Sequence, residues 1–315
     1  MASFGYTLRK HWRKKKDDLR QAKYTRQHDV LFRRKGLTKS LFVFIFILLV
    51  IFVISFIFPF AWILMNAFKP TEEFGLNMMG WPSNFTFDNF IAAFKYKTAA
   101  TKNETILEML GMTVLIAGLG TLVTIFTSTA AAYVVAKYKF FGRDLIFGVV
   151  IFSLIVPIVG ALPSQMQMMK NVLHLDGTVL GCIFIYSGGF GANFLLLYSF
   201  FKNLSWTYIE AAKVDGANDF VIFFRIIIPM AKGPIIAISI IQLIGLWNDY
   251  QTPSIYLPNK PTLAVGLQYM FDKMQSQSYP LMFATIIIAI LPILILFTAF
   301  SKTIMENTSV GGLKG

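Results

Sequence analysis

Charge and cysteine are what this sequence has least of. Only 14% of its 315 residues are Asp, Glu, Lys or Arg, against roughly 25% in a soluble domain. Hydrophobic residues make up 56%, and mean hydropathy is +0.61. A soluble fold has too little charge here to cover its surface, so the composition points to a polytopic membrane protein. The single cysteine, Cys182, excludes an intrachain disulfide. Its apolar setting gives it a packing role. The three histidines, His11, His28 and His174, fall in a tail and a loop that the topology below puts on opposite sides of the membrane. They build neither a metal site nor a catalytic triad, so no catalytic residue and no metal ligand is assigned. There is no G-x-x-x-x-G-K-[ST] phosphate loop, and the chain itself is not expected to bind ATP or to be an enzyme.

What is present is long runs without charge. A bilayer core of about 30 Å needs about 20 helical residues, and a charge at its centre costs roughly 2.5–3.5 kcal/mol. Charge-free windows therefore mark spans. The first lies between Lys39 and Lys69; the others cover about 109–136, 145–163, 177–201, 233–248 and 280–301. None alternates as a membrane barrel strand would. The expected fold is all-α, with six transmembrane helices in a permease-like domain over 39–301. A basic tail (1–38) precedes it and a short tail (302–315) follows. The first span is too long, and its basic flank too extended, for a cleaved signal peptide, and it reads as an anchor helix.

Lysine and arginine set the orientation. With the N-terminus inside, 22 of the 29 basic residues lie inside and 7 outside. Most of that asymmetry is in the tail, but KYKFFGR at 137–143 agrees independently. Both termini and the 202–232 loop then face the cytoplasm. The tail reads as an anchor on anionic lipid; a docking arm for a partner is the second reading. Nucleic-acid binding is not expected, because no such motif accompanies the charge.

Inside the bilayer, close backbone approach and polar contacts hold helices together. Gly120, Thr124, Ser128 and Ala132 recur every four residues and predict a packing stripe. Pro157, Pro163 and Pro292 favour kinks. SGGFGAN at 187–193 weakens the fourth span, as either a pathway-lining hinge or a tight crossing. Tyr186, Asn193, Gln242, Trp247, Asn248 and Asp249 are polar or amphipathic groups near membrane depth. They are candidates for a solute pathway, with helix packing as the competing role. FTFDNFIAAF at 85–94 reads as a short amphipathic helix on the outer membrane surface.

Residues 210–233, EAAKVDGANDFVIFFRIIIPMAKG, interrupt two apolar runs with charge and glycine. Good helix formers from Glu210 meet Asp215-Gly216, where a turn is expected; FVIFFRIII then runs to Pro229. The pattern predicts helix, turn, helix. It resembles the EAA loop of ABC importer permeases: EAA, three residues, G, nine residues, I, one residue, an aliphatic residue and P. Here these are Glu210-Ala211-Ala212, Gly216, Ile226, Ile228 and Pro229, with Ile228 in place of the commoner leucine. PFAWILMNAFKP (59–70), AAYVVAKYKFFGR (131–143), LWNDYQTPSIYL (246–257), PTLAVGL (261–267) and GGLKG (311–315) are similar to the carbohydrate-uptake, maltose-type branch. The long basic tail departs from that branch.

The resemblance implies a mechanism. The EAA loop (205–232) docks in a cleft of a cytosolic ATPase dimer, which carries ATP and Mg; no cofactor sits on this chain. Glu210 pairs with a basic group, Ala211 and Ala212 permit close fit, and Asp215 and Gly216 make the turn. A second homologous permease completes the pathway, and an extracellular binding protein delivers sugar to this multi-pass protein of the bacterial cell membrane. A permease for another solute is the alternative. So is a transporter working without ATP, although neither paired intramembrane charges nor inverted repeats support it.

Overall fold

The computed structural model describes residues 37–97, 103–155, 161–272 and 278–308, and every regular element among them is helical. The basic tail through residue 36, Pro157 and the GGLKG end lie outside the described residues. The chain divides into two units after Ile63. In the first, α1 (Leu37–Ala67, its last turn belonging to the second unit) carries no charge after Lys39. From Leu41 to Phe60 its large side chains are exposed on all faces. A helix that is apolar all round has no polar side to give to water, so its solvent is lipid or other apolar helices.

In the second unit the elements are α2 (Thr71–Leu76), α3 (Asp88–Lys95), α4 (Ile106–Lys137), α5 (Arg143–Ile155) and α6 (Ala161–Gln167). A π turn, Met168–Val172, continues α6. Then come α7 (Val179–Tyr186), α8 (Ala192–Asn203), α9 (Thr207–Val214), α10 (Asp219–Met230), α11 (Lys232–Asn248), α12 (Gln251–Tyr256), α13 (Leu263–Asp272) and α14 (Tyr279–Thr308).

The 32-residue α4 is the central post. A capping box starts it: Thr105 accepts from the Glu108 amide while the Glu108 carboxylate takes the Thr105 N–H, satisfying two otherwise orphan groups. Its packing face is the predicted stripe, with Gly120, Thr124, Ser128 and Ala132 all buried. α8, α11 and α7 pack on α4, and α14 packs on α11, α3 and α13. Gly120 marks one crossing, where an added Cβ would stand 2.9 Å from Leu246 Cδ1 and 3.1 Å from the Tyr186 ring. Cys182 is buried beside Ile116, Ile183 and Leu257.

Helix continuity differs from the charge-free windows. Among the described residues, α1, α4 and α14 are long and apolar enough to span a bilayer; α10 and α11, bent by 77° at Ala231, pass the same test as a pair. The third window is not one described helix: α5 ends at Ile155, and α6 begins at Ala161 with Pro163 in its first turn, where a missing N–H is harmless. The fourth breaks into α7 and α8 around Ser187–Gly191. There a Cβ on Gly189 would lie 3.1 Å from the Thr127 carbonyl oxygen, so the glycines permit close approach to α4. Pro292 lies within α14, which continues through it. The 85–94 stretch holds a short amphipathic helix, α3, with Ile91 and Phe94 exposed. On α3, Asn89 and Ala93 are buried, and Ala93 joins Ile106, Met109, Leu263, Ile288 and Ala289 in a core cluster.

Candidate functional site

The segment between α8 and α11 folds as the helix–turn–helix its sequence predicts. Ser205 Oγ accepts the Thr207 amide at the start of α9. Gly216 adopts φ +79°, which a side chain resists at about 1–2 kcal/mol. Its N–H reaches the Lys213 carbonyl at 3.0 Å and the Ala217 N–H reaches the Ala212 carbonyl at 2.9 Å. These two bonds form a Schellman cap, which closes the orphan carbonyls of α9. The Asp215 N–H bonds to the Ala211 carbonyl at 3.1 Å. Two residues past the glycine, Asn218 Oδ1 accepts the Val221 amide at 2.8 Å and starts α10. The glycine, the cap and the new N-cap together fix the angle between α9 and α10.

The two faces of α9 do different things. Ile209 and Ala212, three residues apart, are buried in a cluster with Tyr133, Phe201, Ile222 and Ile227. Glu210, Ala211, Lys213 and Val214 are exposed. The two alanines of the EAA triplet therefore part company: Ala211 faces outward, whereas Ala212, at 6% exposure, packs against the chain's own core. Ile226 and Ile228 are half-buried and Pro229 is exposed.

A polar knot fastens this segment to the end of α4. Tyr138 Oη donates to Asp219 Oδ1 at 2.9 Å. Lys213 Nζ stands 3.2 Å from the same carboxylate oxygen and 5.8 Å above the Tyr138 ring. Tyr133 Oη lies 3.2 Å from Tyr138 Oη. Burial, and then the hydrogen bonds to Tyr133 and Asp219, push the Tyr138 pKa up, so the hydroxyl stays protonated and able to donate. Lys137 Nζ donates to the Leu204 carbonyl between α8 and α9. Sequence reasoning passed over Tyr138, Lys213 and Asp219. The charge of KYKFFGR hides its tyrosine, which stands one residue past a helix end and is placed to reach a neighbouring loop.

Of the six pathway candidates, four form two pairs and two bond elsewhere. Tyr186 Oη donates to Asp249 Oδ2 at 2.8 Å, and Asp249 Oδ1 accepts the Thr252 amide at 3.1 Å. Thr124 Oγ1 donates to the Tyr186 carbonyl at 2.6 Å. Asn193 Nδ2 donates to Gln242 Oε1 at 2.7 Å, joining α8 to α11. Trp247 is buried against Ala117 and Leu246, its Nε1 donating to Ala289 of α14 at 3.3 Å. Asn248 is exposed and returns its amide to Ile244 of its own helix at 2.8 Å. Each of the six residues thus has at least one hydrogen bond within the chain. Asn193, Gln242 and Asn248 keep enough exposure to exchange it. No cluster of three His, Cys, Asp or Glu able to hold a metal occurs among the described residues.

A second organised segment, 69–97, follows α1. Its key is Lys69, which charge counting treats as solvated. Instead it is fully buried, with Nζ donating to the carbonyls of Asn77 at 2.7 Å and Gly80 at 2.6 Å. Asn89 Nδ2 donates to the carbonyls of Ala67 and Lys69, both at 2.8 Å. The Glu73 carboxylate accepts the Ser83 and Asn84 amides. The Ser83 bond foremost holds it below the usual carboxylate range.

Comparison with known proteins places this architecture. Residues 124–304, which carry the helix–turn–helix and its α4 anchor, match the family described as binding-protein-dependent transport system inner membrane component. The chain is 30% identical to the arabinooligosaccharides transport system permease protein AraQ of Bacillus subtilis, across 82% of this chain and 91% of that one. It is 29% identical to the diacetylchitobiose uptake system permease protein NgcG of Streptomyces coelicolor, across 84% and 86%. The fold matches a chain from the crystal structure of a bacterial ABC transporter that imports the acidic polysaccharide alginate. The TM-score is 0.68 and the identity 20%, covering 85% of this chain and 98% of that one. With more than half its length in the family match, this all-helical, multi-pass membrane protein belongs to the inner membrane components of bacterial binding-protein-dependent ABC transport systems.

Proposed function

We propose that the chain is one of two homologous permease subunits of an ATP-driven importer for oligosaccharides, fed by an extracellular binding protein and coupled to a cytosolic ATPase dimer through residues 205–232. The permease domain (39–301) crosses the membrane six times, with both termini inside. The window at 177–201 crosses as two helices, α7 and α8, rather than as one. The basic tail (1–38) lies on anionic lipid at the inner surface. ATP and Mg belong to the ATPase partner. The oligosaccharide class rests on the relatives named above, whose own substrates differ from one another.

The observation that carries the reading is the division of α9 into two faces. A helix of eight residues is far too short to be stable alone. This one is held against the chain's own core by Ile209 and Ala212, with Lys213 tied to Asp219 beside Tyr138, and it offers Glu210, Ala211 and Val214 to a partner. A shallow exposed ridge on a rigid mount transmits displacement in either direction. When a cleft on the ATPase moves α9, the mount carries that motion into α4 and α8, which line the crossing with α11. Asp215 and Gly216 hold the turn, and Ile226 and Pro229 define the end of α10, where the chain bends into α11. Asn193, Gln242 and Asn248 then offer amides to a passing sugar, while Tyr186, Trp247 and Asp249 shape the wall.

The test is uptake of labelled oligosaccharide by cells carrying Glu210→Lys or Gly216→Pro, with membrane insertion checked by immunoblot. Normal insertion with lost uptake is expected. Wild-type uptake in both variants sinks the coupling role. Uptake that persists without the ATPase and follows an ion gradient replaces the whole reading.

A further inference from the structure

The segment that leaves α2 carries large apolar side chains with no visible cover. Leu76 is 91% exposed, Met79 72% and Trp81 79%. Between Phe74 and Pro82 the chain has no charged residue. Yet this tip is not loose. Lys69 Nζ grips it at two carbonyls, Asn77 and Gly80, and Asn77 Oδ1 accepts the Gly80 amide at 2.6 Å. A buried lysine is thus spent on holding an exposed apolar turn in one shape.

The height of this turn is fixed by its neighbours. Phe74 packs against Tyr279 and Phe283 of α14, ring centroids 5.6 Å away in each case, and Thr71 Oγ1 lies 2.5 Å from Ser278 Oγ. The apolar part of α14 runs Tyr279–Lys302, 24 residues, or about 36 Å at 1.5 Å per residue. That exceeds a hydrocarbon core of about 30 Å by a few ångströms. Its first turn, and with it α2, therefore stands in the headgroup layer. Tryptophan is enriched at that level because its ring tolerates both apolar chains and polar headgroups.

We propose that Leu76, Met79 and Trp81 form a fixed interfacial foot that rests in the bilayer, with Trp81 at the headgroup–acyl boundary. On the topology proposed above this is the outer leaflet. The occupant is lipid rather than a soluble protein, because the tip is uncharged and stands at the depth where a span begins. The foot sets the height of the 69–97 segment against the membrane, and through α3 that of the start of α4.

The experiment uses the full chain in nanodiscs. Tryptophan emission is compared between the wild type and Trp81→Phe, and the difference is the Trp81 signal. Nanodiscs then contain phospholipid brominated near the carbonyl end or at mid-chain. The expected result is loss of the Trp81 signal in brominated lipid, larger for the shallow label. Lys69→Met should abolish that difference while leaving Trp81 present. A Trp81 signal indifferent to both labels overturns the proposal; so does one that is indifferent to lipid but shifts to the blue when the binding protein is added, which would make the tip a protein-docking surface. The bromine readout is blind to sidedness. Labelling of Trp81→Cys by a membrane-impermeant maleimide in oriented cells tests the topology separately, since the native Cys182 is buried.

Discussion

The two organised segments between helices, 69–97 and 205–232, are held by opposite means. The first is built around a buried cation and backbone carbonyls, with Lys69 and Asn89 as its keystones. The second is built around buried apolar side chains, Ile209, Ala212, Ile222 and Ile227, and keeps its polar bonds on the surface. Apolar packing is dense and poorly compressible, so displacement at α9 passes into α4. Hydrogen bonds to carbonyls fix direction and position but use little apolar area. The difference matches a part that moves with its support and a part that stays where it is placed.

Lys69→Met breaks the first arrangement at its centre. The part-buried bonds to the Asn77 and Gly80 carbonyls are lost, at about 1.5–3 kcal/mol each for a lysine donor, the largest effect expected here. Limited proteolysis should open 76–85 while leaving 205–232 protected. Equal protection in the variant would mean that the lysine is dispensable. Ala212→Leu attacks the second arrangement. Overpacking costs about 1–3 kcal/mol and should lower the yield of folded protein in detergent, while Ala211→Leu should keep the fold and weaken co-purification of the ATPase. Identical behaviour of the two variants would erase the distinction between the faces of α9.

Tyr138→Phe removes one hydrogen bond to a half-exposed carboxylate, at most about 1 kcal/mol. Faster amide exchange across 215–222, with a partial fall in uptake, is expected; unchanged exchange would leave the knot without a role. The smallest effect is that of acid on Glu73. Its lowered pKa means that its bonds to Ser83 and Asn84 stabilise the segment above the ordinary carboxylate range. They are lost as pH falls through the depressed value. Protection of those two amides, measured as exchange relative to the intrinsic rate at each pH, should fall on acidification in the wild type and be independent of pH in Glu73→Gln.

Much of the 205–232 segment was legible because turns and helices announce themselves locally. Gly216 is where left-handed backbone is needed, and Asn218 is a preferred N-cap. The stripe on α4 was equally readable, since small residues at four-residue spacing lie on one face. Lys69 was not. Nothing in its neighbours in sequence marks a lysine as buried, and its partners are backbone atoms eight and eleven residues away. The Tyr138–Asp219 bond, across 81 positions, is hidden for the same reason. The break within 177–201 was not legible from hydropathy, because apolar composition reports what lipid accepts, not whether a helix is continuous.

Ala212 has a consequence for how such transporters diversify. A residue that sits in the motif yet faces inward answers to the fold, as does Lys213 through Asp219, whereas 210, 211 and 214 are left to whatever docks there. On the coupling proposed above, a lineage that exchanges its ATPase rewrites those outward positions one at a time, without refolding the permease.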